Sequence, residues 1–504
     1  STRSLPIFSS ISWNVLMGQM RFVTPRPERM TPEVVKRTYC SSLEGIPWEC
    51  QSRVENNSLI VDRPSDEAGN LNIPWFVPGH GQLVITSTSL MQRPEAYQLE
   101  VELARGTLNR LRNSVSFASL SGWEVPSSII EERDLAQQLF IRAATSQHMP
   151  GQAAKWAEES LTHSIQGAED FGLQRARFLL NSRQQQIAKL PTLWAAHCES
   201  KQLRQRVRKS LSSTFNSMSV SMPWKRISTD ADQYSWEALD KQIQWCRRKE
   251  MKVIAGPLVQ LNQDNVPDWI YLWEDDFSAI QSYYTDYVRE VVKRFSDDVD
   301  IWNSVANLNV DNCLSLSEEQ LLHMAVSTIE TIRQHDTKTP LIFTVSQPWG
   351  EYLAQSSRDM SPMTFADTLV RSDLGINGIG LEINWGFHDE NTLPRDLLEL
   401  SQHIDRWSHL GLPLVIHLSI SELPAEASDG TSSMSNSDDT VSLTSRSRNI
   451  LTVLASKPAV QALIWNQLTD PKSGSRPGAG LFDVNGKPKP ILKDLHDLRH
   501  NYLS

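Results

Sequence analysis

The chain reads as an α/β protein: a (β/α)8 TIM barrel preceded by an antiparallel β-sandwich and a helical hairpin. Three observations predict this. From about Leu190 onward, eight strand-like apolar runs alternate with helix-length segments over roughly 300 residues, as an eight-fold barrel requires. From Thr38 to about Gln98, short alternating runs are separated by turn clusters. Near Gln98 the apolar period changes from two to 3.6.

Residues 1 to about 30 contain Pro25 and Pro27 and read as an irregular arm laid over another domain. S-L-I-V-D (58–62) and Q-L-V-I-T-S-T (82–88), with turns at E-A-G-N (67–70) and P-G-H-G (78–81), read as sandwich strands. Residues 1–125 are therefore assigned to the arm and sandwich. Tyr97 to Arg112 carries Leu99, Leu103, Leu108 and Leu111 near helical spacing, with acids early and arginines late, as the helix dipole favours. Residues 129–148 and 152 to about 186 are rich in Ala, Gln, Glu, Leu and Arg and are split by Pro150-Gly151, which predicts a helical hairpin linking the halves, assigned to 126–186.

The barrel is assigned to 187–504, with strands at 190–198, 215–222, 252–259, 300–307, 340–346, 376–384, 412–420 and 460–467. Helix-length segments lie between them, among them Trp236 to Glu250, Phe277 to Phe295, Ser317 to Asp336 and Leu393 to Leu410. Ser421 to Ser447, rich in Ser, Asp and Thr, reads as a long loop after the seventh strand.

Composition bounds the function. Hydrophobic residues make up 39% and charged residues 21%, which is ordinary globular usage. A net charge of -10 gives no electrostatic reason to seek nucleic acid or anionic membranes. No run of about 18 apolar residues predicts a membrane span. The first ten residues lack a signal-peptide core, which tips the expected location slightly toward the cytoplasm, although a chain beginning at Ser1 could already be processed. Cys40, Cys50, Cys198, Cys246 and Cys313 are widely spaced without C-x-x-C, so buried free thiols are expected, with neither a zinc site nor a disulfide framework. No cofactor is expected.

Functional groups of such a barrel sit at the C-terminal ends of its strands. The fourth run, D-I-W-N-S-V-A-N, resembles the W-D-V-V-N-E strand end of family 10 glycoside hydrolases, the xylanase family. F-N-S-M-S resembles that family's F-N-x-V-T, and M-K-V-I-A-G-P-L-V its M-x-V-R-G-H-T-L-V. I-N-G-I-G-L-E-I-N resembles I-D-G-I-G-L-Q-x-H, and K-P-K-P-I-L the closing K-P-A-Y. The resemblance covers most of residues 190–504 and implies a barrel with a saccharide cleft.

The polar positions depart from that pattern. The family's acid falls on Asn307, its sugar-binding His on Pro257, and its Q-x-H pair on Glu382 and Asn384. Its nucleophile falls on Ser419, or on Leu418 if the register slips by one. Retaining glycosidases need two carboxyl groups about 5–5.5 Å apart. The resemblance therefore implies a fold without its reaction: a pseudoenzyme that binds a polysaccharide, an oligosaccharide or a protein, or that self-associates. An active glycosidase would need a relocated pair, Glu382 with Asp470 or Glu422, and a purely structural scaffold is the third option.

Matched aromatics suggest a stacking surface, since sugars pack their C–H faces on indole rings. Trp465 falls on the family's floor tryptophan. Trp385 and Trp224 lie at or near predicted strand ends, as do Trp269, Trp273 and Trp349, and the expected carbohydrate-binding set is Trp465, Trp385, Asn384, Glu382 and Trp224. The sandwich resembles the carbohydrate-binding modules often attached to such barrels. Its Trp48, Trp75 and Phe76 fit either a small core or a sugar-stacking face.

Overall fold

The computed structural model describes residues 18–199, 203–230, 233–386, 391–421, 437–471 and 478–503. Eight parallel strands close into a barrel in chain order: Leu193–Cys198, Ser217–Val220, Lys252–Ala255, Ile301–Ala306, Leu341–Ser346, Gly378–Trp385, Leu414–Ile420 and Val460–Trp465. All eight coincide with the predicted runs. Alternation along each strand sorts the side chains. Ala195, Ile254, Ile342, Val415, Ala462 and Ile464 form the apolar plug inside the barrel. Neighbours of opposite parity, such as Trp194, Val253, Phe343, Leu381 and Ile416, belong to the larger core under the surrounding helices. The interior is thus packed largely by apolar residues at its base, and most of its polar residues gather toward the strands' C-terminal ends.

The helix Ser437–Ser456 corrects the C-terminal part of the expected 421–447 loop. Ile450, Leu451, Val453 and Leu454 anchor it in the core and carry the helix back through the Ser- and Asp-rich segment. Residues 422–436, including the candidate Glu422, lie outside the described residues. Among the described residues, no helix is long and apolar enough to cross a membrane.

The N-terminal part has two small sheets. One orders Gln51–Glu55, Ser58–Arg63, Gly18–Val23 and Tyr97–Gln98; the other holds Tyr39–Ser41, Gly69–Val77 and Gly81–Leu90. Residues 18–23, expected within the arm, are a strand, because Met20 and Phe22 point into the core while Gln19 and Arg21 stay outside. The helices Leu99–Leu120, Ser127–Thr145 and Pro150–Gln186 follow. They do more than link: Leu99, Leu103, Ala153, Ala157, Leu161 and Ile165 complete the same core as Phe22, Ile73, Trp75 and Ile85. Trp75 is fully buried there, on the packing side of the two roles open to it.

At 37 residues, the helix Pro150–Gln186 is long enough to reach from this core to the barrel helices Leu397–Ser408 and Ser437–Ser456, against which it packs. Arg395, 1% exposed, ties the two halves together. Its guanidinium donates to Glu351 Oε1 at 2.8 Å and to Tyr39 OH at 2.9 Å, and it lies 4.6 Å over the Trp349 ring. It also pairs with Glu399 Oε1 at 2.9 Å, while Arg110 donates to Glu399 Oε2 at 2.8 Å and to Asp396, the N-cap of Leu397–Ser408. Backbone bonds from Cys50 to Ala354 and from Val84 to Pro394 close the seam.

Removing one member of a buried ionic network strands the others without a counter-charge, at a cost of about 3–5 kcal/mol. Arg395→Ala is therefore expected to lower unfolding stability by that amount, and Tyr39→Phe by about 1 kcal/mol. Urea denaturation followed by tryptophan fluorescence measures both. Equal stability of wild type and Arg395→Ala would refute the role given to this residue.

Candidate functional site

Above the apolar plug, the strand ends surround a cavity of about 510 Å³. Its walls include His197, Gln260, Asn262, Asn303, Asn307, Asp311, Thr344, Tyr352, Glu382, His417 and Asn466. Local backbone features shape it. Gly256 has φ +123°, and a Cβ there would lie 2.3 Å from the Asn303 carbonyl oxygen, so only glycine lets the third strand turn against the fourth. Gly380 leaves room for the Thr344 side chain, whose hydroxyl would be 2.1 Å from an added Cβ. Asn307 and Gln347, each just past a strand end, take left-handed φ values of +59° and +46°. Such backbone is uncommon outside glycine, asparagine being among the tolerant residues, and it clusters at functional sites.

Glu382 is the hub. Asn307 Nδ2 donates to its Oε2 at 2.6 Å, and Asn384 Nδ2 donates to its Oε1. Asn384 Oδ1 then accepts Ser419 Oγ at 2.5 Å and Asn466 Nδ2 at 3.1 Å. A second polar cluster lies across the cavity, where Asp311 Oδ2 accepts Gln260 Nε2 at 2.8 Å and Asn262 Nδ2 at 3.4 Å. His197 Nδ1 is 2.9 Å from Ser219 Oγ. Burial pushes the His417 pKa down to about 4, with the His197 charge adding to the fall and Glu382 and Asn466 opposing it.

The predicted site residues separate into groups. Asn307 and Glu382 line the cavity, with Asn384 behind Glu382 and Ser419 behind Asn384, both almost wholly enclosed. Of the two seventh-strand candidates, Ser419 faces Asn384 and Leu418 is part of the outer core under the helices. Asp470 is turned away. Its carboxylate accepts Lys489 Nζ at 2.9 Å and the Gly480 amide at 2.6 Å, which locks a loop.

The tryptophans expected to stack on sugar are not among the cavity's lining residues. Trp465, 3% exposed, donates its indole N–H to Ala479 O at 2.9 Å, and Trp385 donates to Leu393 O at 3.1 Å. Trp224 is stacked on Tyr287 with centroids 5.2 Å apart and meets Trp269 edge-on. Their burial corrects that expectation: each ring finds apolar neighbours beneath the strand ends. The residues that sequence reasoning missed are His197, Gln260, Asn262, Asp311 and Tyr352. Their shared signal is position, on or just beyond a predicted strand end, in types too common to single out. Among the described residues, no group of three or more His, Cys, Asp or Glu side chains is placed to hold a metal.

Comparison with known proteins follows the barrel. Residues 185–498 match the family model described as glycosyl hydrolase family 10. The chain is 22% identical over 296 residues to endo-1,4-beta-xylanase B of Thermotoga neapolitana, covering 56% of this chain and 79% of that one. It is also 22% identical over 301 residues to endo-1,4-beta-xylanase A of Caldicellulosiruptor saccharolyticus, covering 55% and 84%. Among solved structures, native xylanase 10B from Thermotoga maritima superposes with a TM-score of 0.48 at 17% identity, covering 65% of this chain and 98% of that one.

His417 sets a pH test of the site. Its folded pKa of about 4 lies below the ordinary histidine value of about 6.5, so its contribution to stability is complete above about pH 6.5 and is lost as pH falls toward 4. The full loss amounts to about 3 kcal/mol. His417→Gln is expected to flatten the fall of unfolding free energy between pH 6.5 and 4, measured by urea titration at each pH. An unchanged slope in the variant would rule out a neutral, buried imidazole.

Proposed function

The chain belongs to glycosyl hydrolase family 10, and on that footing we propose that it is a saccharide-binding member that has given up the family's hydrolytic step. The observation that carries this reading is the hydrogen bond from Asn307 to Glu382. A retaining glycosidase must protonate the leaving oxygen with one carboxyl group and attack the anomeric carbon with a second. At the first position stands an amide, which holds no acidic proton, and its N–H already serves Glu382. At the second stands Ser419, enclosed and bonded to Asn384. General acid catalysis alone is worth about 10²- to 10⁴-fold in rate, and loss of the nucleophile adds to that deficit.

The cavity keeps what recognition of a polyol needs. Gln260, Asn262, Asn307, Gln347, Tyr352 and Asn466 supply both donors and acceptors around a volume that suits a small ligand. With the tryptophans buried, affinity rests on hydrogen bonds to sugar hydroxyls rather than on a stacking floor. A protein ligand is the less favoured reading, because the recess is narrow and polar.

Purified protein is expected to release no reducing sugar from xylan and no aglycone from aryl xylosides above background. Asn307→Glu alone should remain inactive, since the nucleophile is still absent. Calorimetry with xylo- and gluco-oligosaccharides should detect binding, weakened about 3- to 10-fold by Gln260→Ala or Asn262→Ala, as loss of one neutral hydrogen bond predicts. Wild-type turnover that disappears in Glu382→Gln would replace this reading with an active enzyme using relocated carboxylates. Absence of both turnover and binding would leave the scaffold role.

A further inference from the structure

Arg63 poses a problem that the sugar site does not answer. It lies at the end of the strand Ser58–Arg63, 1% exposed, and among the described residues none of its three guanidinium nitrogens has a hydrogen-bond partner. Its guanidinium sits 5.3 Å from the Trp48 ring centroid, and a cation–π contact of that kind offsets only part of the cost of burying a charge. The groups that feel its charge are two thiols, Cys40 and Cys50. Cys40 lies in the strand Tyr39–Ser41, and Cys50 just precedes the strand Gln51–Glu55.

The two cysteines touch. The Cys40 backbone N–H donates to Cys50 Sγ at 3.4 Å, and Cys50 Sγ lies 3.9 Å from the Cys40 carbonyl oxygen. Cys40 is wholly enclosed, with its sulfur 3.9 Å from Met20 Sδ, whereas Cys50 is half-buried. Two groups favour a thiolate at Cys50: the Cys40 amide that donates to it and the Arg63 charge. The Cys40 contacts and the Arg63 charge lower the Cys50 pKa against burial and the nearby Glu49, whereas the Cys50 neighbour and burial raise that of Cys40 with the Arg63 charge opposing. Cys198 and Cys246 differ, since burial pushes both thiols up to about 12.

We propose that Cys40 and Cys50 form a reactive thiol pair, with Cys50 the nucleophile and Arg63 its counter-ion, which small-molecule disulfides oxidise to an intramolecular disulfide. The Cys50 thiolate attacks one sulfur of the small disulfide, forming a mixed disulfide and releasing one thiolate. Cys40 then gives up its proton to the released thiolate and attacks the Cys50 sulfur, expelling the second thiolate, which takes a proton from solvent. In sum, two protein thiols lose two electrons and two protons, and the small disulfide becomes two thiols. Cys50 also donates its backbone N–H to Ala354 of the barrel at 3.0 Å, so the reaction falls on the seam between the halves.

The test uses reduced full-length protein, glutathione disulfide as oxidant, and peptide mapping by mass spectrometry. The expected product is a Cys40–Cys50 disulfide; Cys40→Ser should stop at the glutathione adduct of Cys50, and Cys50→Ser should yield neither. Alkylation of Cys50 by iodoacetamide at pH 7 should slow about tenfold in Arg63→Met, the effect of a thiol pKa raised by about one unit. Arg63→Lys, which keeps the charge, should retain most of the rate and covers a failure of Arg63→Met to fold. Alkylation of Cys50 no faster than that of a free peptide thiol, or a disulfide mapped to Cys313 instead, would overturn the proposal.

Discussion

The geometry at the barrel mouth follows from a requirement of the Glu382 carboxylate: a half-buried carboxylate is held in place by hydrogen-bond donors, and two asparagines supply them. Asn307 reaches it from the fourth strand and Asn384 from two residues along its own strand. Beside the family's pattern, this is an exchange. The resemblance puts a glutamic acid at position 307 and a glutamine at 382; here the amide and the carboxyl have traded places. The carboxyl now stands on the sixth strand, 2.6 Å from the amide on the fourth. A second glutamate introduced at 307 would face Glu382 with two acceptors and no donor between them, which makes the identities at these two positions interdependent.

The same reasoning applies to the seam between the halves, with the signs reversed. Arg395 is buried among Glu351, Glu399 and Tyr39 because the barrel supplies carboxylates on one side and the N-terminal sheet a phenol on the other. Neither half satisfies it alone. A flexible tether would not need such an arrangement, and the shared core of sheet and long helix excludes one. The N-terminal part is therefore a fixed flank of the barrel rather than an independently swinging module.

Much of this was legible in the chain. Eight apolar runs with strand length and strand residues located all eight barrel strands, because a parallel strand covered on both faces has little choice of composition. The period change near Gln98 located the start of the first long helix to within two residues, although the helix runs on past Arg112 to Leu120. The site was less legible. Trp465 matched a motif and Trp385 a strand end, but a tryptophan at a strand end serves a cleft or a core equally well, and the carbonyls of Ala479 and Leu393 hold both rings in the core. Asp311, Gln260 and Asn262 stand on loops that become neighbours only when the third and fourth strands pair, so no local spacing announces them. Residues 18–23 carry no local sign of pairing, because their partner, Ser58–Arg63, arrives some forty positions later.

The Arg395 seam also bears on how the molecule assembles. Tyr39 and Arg395 are 356 positions apart, and His80 accepts a bond from Arg446 across 366. The entropy of closing such loops rises only slowly with length, so the native state tolerates them. The path to it is less forgiving, because contacts this distant form late and slow the search. During synthesis the sheet emerges first, yet its core must wait for Leu161 and Ile165, and its outer face for the sixth and seventh barrel units. Until then the Tyr39 and Val84 face stays uncovered in the growing chain, an aggregation hazard that holdase chaperones are suited to mask.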